Sequence, residues 1–136
     1  MTDKPVHTPD PTAIAKQIQL YNANEFARLL SMEIVEASDG YSRVIMDCAG
    51  KMNPDGVAHG GAIFSLADQA GGIAANCCGT HRVALSVSIQ YIAPAKGKLV
   101  AVARRVADNG TCDTYCVMVY EGERPVAEFT GVTFRV

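Results

Sequence analysis

The 136-residue chain has no tryptophan, and aromatic residues make up only 7% of it. Its interior must therefore be built from Val, Ile, Leu and Ala. With 49% hydrophobic residues, there is enough for a sizeable core in one ordinary domain. Charge is sparse and nearly balanced, 12 Lys and Arg against 14 Asp and Glu. Without a basic surface, nucleic acid is excluded as a partner. No apolar run approaches the roughly 20 residues of a membrane-spanning helix. The opening Met-Thr-Asp-Lys-Pro-Val-His has no apolar signal segment, so a cytoplasmic setting is expected. The five cysteines (48, 77, 78, 112, 116) are odd in number, irregularly spaced and contain no Cys-x-x-Cys. That argues against a disulfide framework. His7, His59 and His81 do not pair at ligand spacing, so no metal is expected. Repeats, linkers and low-complexity segments are also absent.

What the chain does have is concentrated between Asn53 and Cys78. Residues 53–61 contain Asn-Pro, Asp-Gly and Gly-Gly and read as a loop. Over residues 61–78, Ile63, Leu66, Ala67, Ala70, Ile73, Ala74 and Cys77 recur at helical spacing. This predicts a helix roughly 27 Å long, the central element of a small domain. It opens on Gly60-Gly61, where no side chain is expected to shield the first backbone N–H groups. Those groups lack intrahelical acceptors, and the helix dipole adds positive character, so they suit an anion or a developing oxyanion. Asp68 lies off the apolar stripe, beside Phe64, Gly71, Gly72 and Ala75. Glycine inside a helix costs about 1 kcal/mol relative to alanine. Two beside a carboxylate imply close approach of something to it. Asp68 is then either a functional carboxylate or a solvated helix position.

Along the rest of the chain, residues 1–9 read as a flexible tail and 10–136 as a single domain. Asp10-Pro11 opens a helix, and Asn22 with Glu25 suggests a second cap, giving short helices over 11–20 and 23–30. Strands follow at Met32–Ala37 and Tyr41–Cys48, with Ser38-Asp39-Gly40 as a turn. After the central helix, Arg82–Ile92 alternates cleanly, placing Val83, Leu85, Val87, Ile89 and Tyr91 on one face. Three more strands, 99–107, 111–120 and 125–136, are separated by turn signals, so the last four are expected to form an antiparallel meander. The class is α+β: a curved antiparallel sheet of about six strands on one long helix. One helix covers one face, so self-association is expected.

Asn53-x-x-Gly56-x-x-His59-Gly60-Gly61 followed by Phe64-Ser65-Leu66-Ala67-Asp68 resembles the hot-dog-fold acyl-CoA thioesterases of the phenylacetic-acid-degradation (PaaI-like) family. Ser88-Ile-Gln-Tyr-Ile-Ala-Pro-Ala-Lys-Gly-Lys-Leu99 and the ending Val126–Val136 are similar to the same family, so the resemblance spans about residues 24–136. It implies a hot-dog fold and hydrolysis of an acyl (or aryl) coenzyme A thioester. Asp68 would be the general base or nucleophile, and Gly60 with Gly61 the oxyanion site. Asn53 would position water or thioester, His59 would lie beside the carbonyl, and Ser86 would face the reaction centre. Gly61, Phe64 and Gly72 are the candidate substrate contacts. The resemblance also implies a homodimer or homotetramer with sites shared between subunits. Coenzyme A would be part of the substrate, with no separate cofactor. Each assignment has a plainer counterpart: Asn53-Pro54 as a turn, His59 as a loop histidine, Ser86 as a strand-face serine. Lys96, Lys98, Arg104 and Arg105 are either coenzyme A phosphate ligands or solvated charges. Two other functions stay open. Asn53-Pro54 and His59 resemble the Asp-x-Asn-Pro-x-His motif of hot-dog hydratases, but Lys51 replaces its aspartate and the histidine spacing differs. A non-catalytic acyl-CoA-binding domain is the other.

Overall fold

The computed structural model describes residues 10–136; the expected tail at 1–9 lies outside them. The elements run α1 (Pro11–Ala23), α2 (Glu25–Leu29), β1 (Glu33–Ser38), β2 (Tyr41–Asp47), α3 (Gly60–Asn76), β3 (Arg82–Tyr91), β4 (Lys98–Asp108), β5 (Cys112–Glu121) and β6 (Arg124–Arg135). Asp10 caps α1, accepting from Thr12 N at 3.0 Å, with Pro11 at the first helical position. The cap of α2 is Asn24, whose Oδ1 accepts from Ala27 N at 2.8 Å. Asn22, the expected cap, does something else. Its amide accepts from Ile34 N at 2.7 Å and donates to Ile34 O at 3.3 Å. β1 is an edge strand, so Ile34 has a free backbone pair for the amide to satisfy.

All six strands pair antiparallel in the order β1-β2-β4-β5-β6-β3. The expected four-strand meander is therefore only three strands long, β4-β5-β6. β3 pairs with β6, from Arg82 opposite Arg135 to Tyr91 opposite Ala127. Residues 92–97 are a crossover rather than a turn. Ile92 and Ala93 donate to Val126 O, and the Glu121 carboxylate accepts from Lys96 N and Gly97 N at 2.8 and 2.7 Å. A second correction concerns the face of β3. A bulge between Ala84 and Ser86 leaves Leu85 without a partner on β6. Beyond it the alternation resumes out of phase. Val87, Ile89 and Tyr91 face the helix side, with Ala84; Val83 is turned to the other side, with Ser86, Ser88 and Gln90.

The sheet wraps α3, and every residue of the predicted stripe, Ile63 through Cys77, is buried. Facing them are Val44, Met46, Leu99, Ala101, Val117, Val119 and Phe129, also buried. Each large aliphatic side chain removed from water contributes about 1.5–3 kcal/mol, and this stripe anchors the helix. Ser42 adds a buried hydrogen bond to Ala70 O at 2.6 Å. The layout is the expected α+β arrangement, a curved antiparallel sheet on one long helix with short N-terminal helices. It leaves β3 at an open edge, with Leu85 61% and Tyr91 53% exposed.

Candidate active site

The N-terminus of α3 is more selective than the sequence implies. His59 is its cap, and the imidazole Nδ1 accepts from Gly61 N at 2.9 Å. Ala62 N and Ile63 N turn back to His59 O at 3.0 and 3.2 Å. The expectation that both glycines present open N–H groups is thus corrected. The Gly61 N–H is taken, and the Gly60 N–H is the one in the first turn with no acceptor among the described residues. Neither glycine leaves easy room for a side chain. A Cβ at Gly60 would meet Tyr91 Cζ and Oη at 3.2 Å, and one at Gly61 would meet His59 Nδ1 at 3.0 Å. The Tyr91 hydroxyl also donates to Gly60 O at 2.9 Å, tying the edge strand to the helix start.

Asn53 organises the loop ahead of the helix. Its Oδ1 accepts from Asp55 N at 2.9 Å and Val57 N at 3.2 Å, an Asx turn. Only its amide nitrogen is left to act on another group. The loop is held from outside by Ala58 N donating to Ala95 O, and His59 N to Lys51 O, both at 2.8 Å.

Asp68 lies two turns further along α3. Its carboxylate has no hydrogen-bond or ion-pair partner among the described residues and is reachable by solvent. The surrounding protein nevertheless desolvates it enough to push its pKa above the ordinary aspartate value. It stands at one end of a cavity of about 210 Å³ whose walls include Gly71, Gly72, Val87, Phe129 and Gly131. A Cβ at Gly71 or Gly72 would meet its nearest neighbour at an ordinary 3.8 or 3.7 Å, Val117 or Tyr21. Packing within the chain does not demand these glycines; their bareness keeps the cavity open. Phe64 is edge-on to Phe129, ring centroids 5.4 Å apart, so it supports the wall from behind. Ser86 is exposed, paired with Val132 on the side of β3 away from α3, and does not line the cavity within one chain.

Beyond the cavity lies a buried ionic cluster that sequence reasoning missed. Asp113 pairs with Arg82 and Arg105, each at 3.2 Å, and accepts from the Tyr115 hydroxyl at 3.1 Å. Burial pushes the Tyr115 hydroxyl up to about 12. Arg105 also binds Asp39, and Arg104 stacks over the Tyr41 ring at 4.9 Å. Arg105 is thus engaged within the chain by two carboxylates, whereas Arg104 stays exposed, stacked on the Tyr41 ring. All five cysteines are free. Among the described residues, no His, Cys, Asp and Glu group is arranged for a metal, and no helix is long and apolar enough to cross a membrane.

Residues 55–126 match the family model described as "Thioesterase superfamily". The chain belongs to the thioesterase superfamily. It is 30% identical over 121 residues to the acyl-coenzyme A thioesterase PaaI of Escherichia coli, covering 86% of this chain and 86% of that protein. It is 36% identical to a putative esterase of Archaeoglobus fulgidus, covering 86% of this chain and 79% of that one. The solved E. coli PaaI structure, from the phenylacetic acid degradation operon, superposes with a TM-score of 0.84 at 28% identity, covering 90% of this chain and 94% of that one. This is a PaaI-like thioesterase with the hot-dog fold, as the motifs imply.

Proposed function

We propose that this thioesterase hydrolyses an acyl-CoA thioester to the free acid and coenzyme A, at a site built from two copies of the chain. The observation that carries the shared site is the spacing of Gly60 and Asp68. Asp68 lies eight positions after Gly60 on the helix, roughly 12 Å along the axis. An oxyanion donor and a carboxylate acting on one carbonyl must each come within about 3 Å of the reacting atoms. One rigid helix cannot supply both. A second copy pairing along the open β3 edge satisfies the strand's free backbone groups and covers Leu85 and Tyr91. It also brings the Asp68 cavity of one subunit toward Gly60 and Tyr91 of the other.

In this site the Gly60 N–H stabilises the carbonyl oxygen as negative charge develops. Asp68 of the other subunit activates water as general base, or attacks as nucleophile. The Asn53 amide nitrogen orients water or thioester, the second ring nitrogen of His59 borders the carbonyl, and the acyl group enters the cavity beside Gly72 and behind which Phe64 packs. Gly61 acts through its hydrogen bond to His59. Ser86 remains a candidate through the family resemblance. Coenzyme A is part of the substrate and no cofactor is needed. The assembly is a homodimer, or a homotetramer built from two of them. Five free thiols suit a reducing cytoplasm.

The test is thiol release from phenylacetyl-, hydroxybenzoyl-, hexanoyl- and palmitoyl-CoA, combined with subunit mixing. Asp68→Asn and Gly60→Ala are each expected to be inactive alone. Refolded together, they form heterodimers with one intact site and recover activity. No recovery with any hydrolysed substrate would overturn the shared site, and no hydrolysis by the wild type would overturn the activity.

A further inference from the structure

The first turn of α3 is held from outside the helix at one point, and this inference rests on Gly60 donating to the thioester carbonyl. A turn that opens on two glycines is the least rigid kind. Glycine adopts either sign of φ freely, and helix ends fray. Yet the aim of the Gly60 N–H decides its use, because a hydrogen bond weakens steeply once the N–H···O angle falls below about 120°. The helix supplies part of the restraint. His59 O, on the same peptide as the Gly60 N–H, accepts from Ala62 N and Ile63 N. Ser65 Oγ donates to Gly61 O at 2.7 Å. These bonds belong to α3 and its cap, so they loosen whenever that end frays.

The remaining restraint is the Tyr91 hydroxyl, which donates to Gly60 O. Among the described residues, this is the one hydrogen bond into residues 60–63 that comes from another strand or helix. The ring lies against Gly60 as well, so the contact is both polar and steric. Tyr91 is itself anchored. It pairs with Ala127 at the end of β3, and Ile92 N beside it donates to Val126 O at 2.8 Å. Burial does not account for the bond. The side chain is exposed, and water would satisfy its hydroxyl equally well. We infer that Tyr91 is a positioning residue: its hydroxyl clamps the Gly60 carbonyl, and so keeps the Gly60 N–H aimed at the thioester oxygen. Tyr91 touches no reacting atom in this arrangement and acts through Gly60. It also stands on the open β3 edge where the second copy pairs. The strand that joins the subunits is then the strand that steadies the oxyanion donor.

The experiment uses Tyr91→Phe, which keeps the ring and removes only the hydroxyl. Its kcat is expected to fall on the order of tenfold, a part of the roughly 10²–10³ lost with a whole oxyanion donor. kcat/KM should fall in step, the pattern of an interaction made in the transition state. Sedimentation should show the wild-type assembly. A spectroscopic readout separates positioning from mere stability. Whichever of the four test thioesters is hydrolysed fastest is labelled with carbon-13 at its carbonyl and bound to Asp68→Asn, so that turnover does not intrude. Its carbonyl stretch should lie below that of the free thioester in water, reporting the Gly60 hydrogen bond. Adding Tyr91→Phe should move it back toward the free value. An unchanged stretch, an unchanged kcat, or a loss of activity that tracks loss of assembly would overturn the role of Tyr91. A carbonyl no more polarised on Asp68→Asn than in water points elsewhere. It overturns the oxyanion reading of Gly60, and the inference with it.

Discussion

At the scale of single residues, Asp68 carries a cost that function explains. A carboxylate without a partner and partly stripped of water disfavours its own ionised form. Two consequences follow with opposite signs. The base is active when deprotonated, so kcat/KM should fall on the acid side at a pH above the ordinary aspartate value of 3.8. Because the folded state raises this pKa, ionisation at neutral pH destabilises the fold. Asp68→Asn is therefore expected to lose about 10² or more in kcat while melting slightly higher than wild type at pH 7, read by thiol release and thermal unfolding. His59→Ala should cost about 0.5–2 kcal/mol of stability through loss of the α3 cap, measured by urea titration. The glycines and Asp68 were legible because they break a helical pattern for no local reason. The cap role of His59 was not, since its ring folds back over two residues.

At the scale of elements, α3 could be read almost residue by residue, because its burial follows a local period. Strand order could not. β3 followed by β4 is antiparallel whether the two are neighbours or separated by β5 and β6, so turn signals do not distinguish the two topologies. What decides it is the grip on residues 92–97. The Glu121 carboxylate accepts two backbone N–H groups and the Arg124 guanidinium, which hold it down to about 2 from an ordinary 4.5. A depressed acid stabilises the fold above its unfolded value and loses that contribution as pH falls from about 4.5 toward 2. Glu121→Gln should lower the melting temperature at pH 6 and flatten its decline between pH 5 and pH 3. The bulge at Leu85 was likewise hidden, since the sequence alternation runs straight through it.

At the scale of the whole molecule, one core fills the space between sheet and helix, yet an edge strand remains open with large apolar side chains exposed. Leu85→Asp, placed at that edge, is expected to shift the assembly toward single chains in sedimentation and to abolish thiol release while leaving the circular dichroism of the fold intact. A retained assembly with full activity would argue for another interface. The twelve-ångström gap between Gly60 and Asp68 also has a kinetic reading. If each chain carries half of two reaction centres, an isolated chain carries none. Specific activity then depends on how much protein is present, falling steeply on dilution below the dissociation constant of the pair. Saturating substrate that bridges both chains would hold them together, so the enzyme would be most resistant to dilution while it is working.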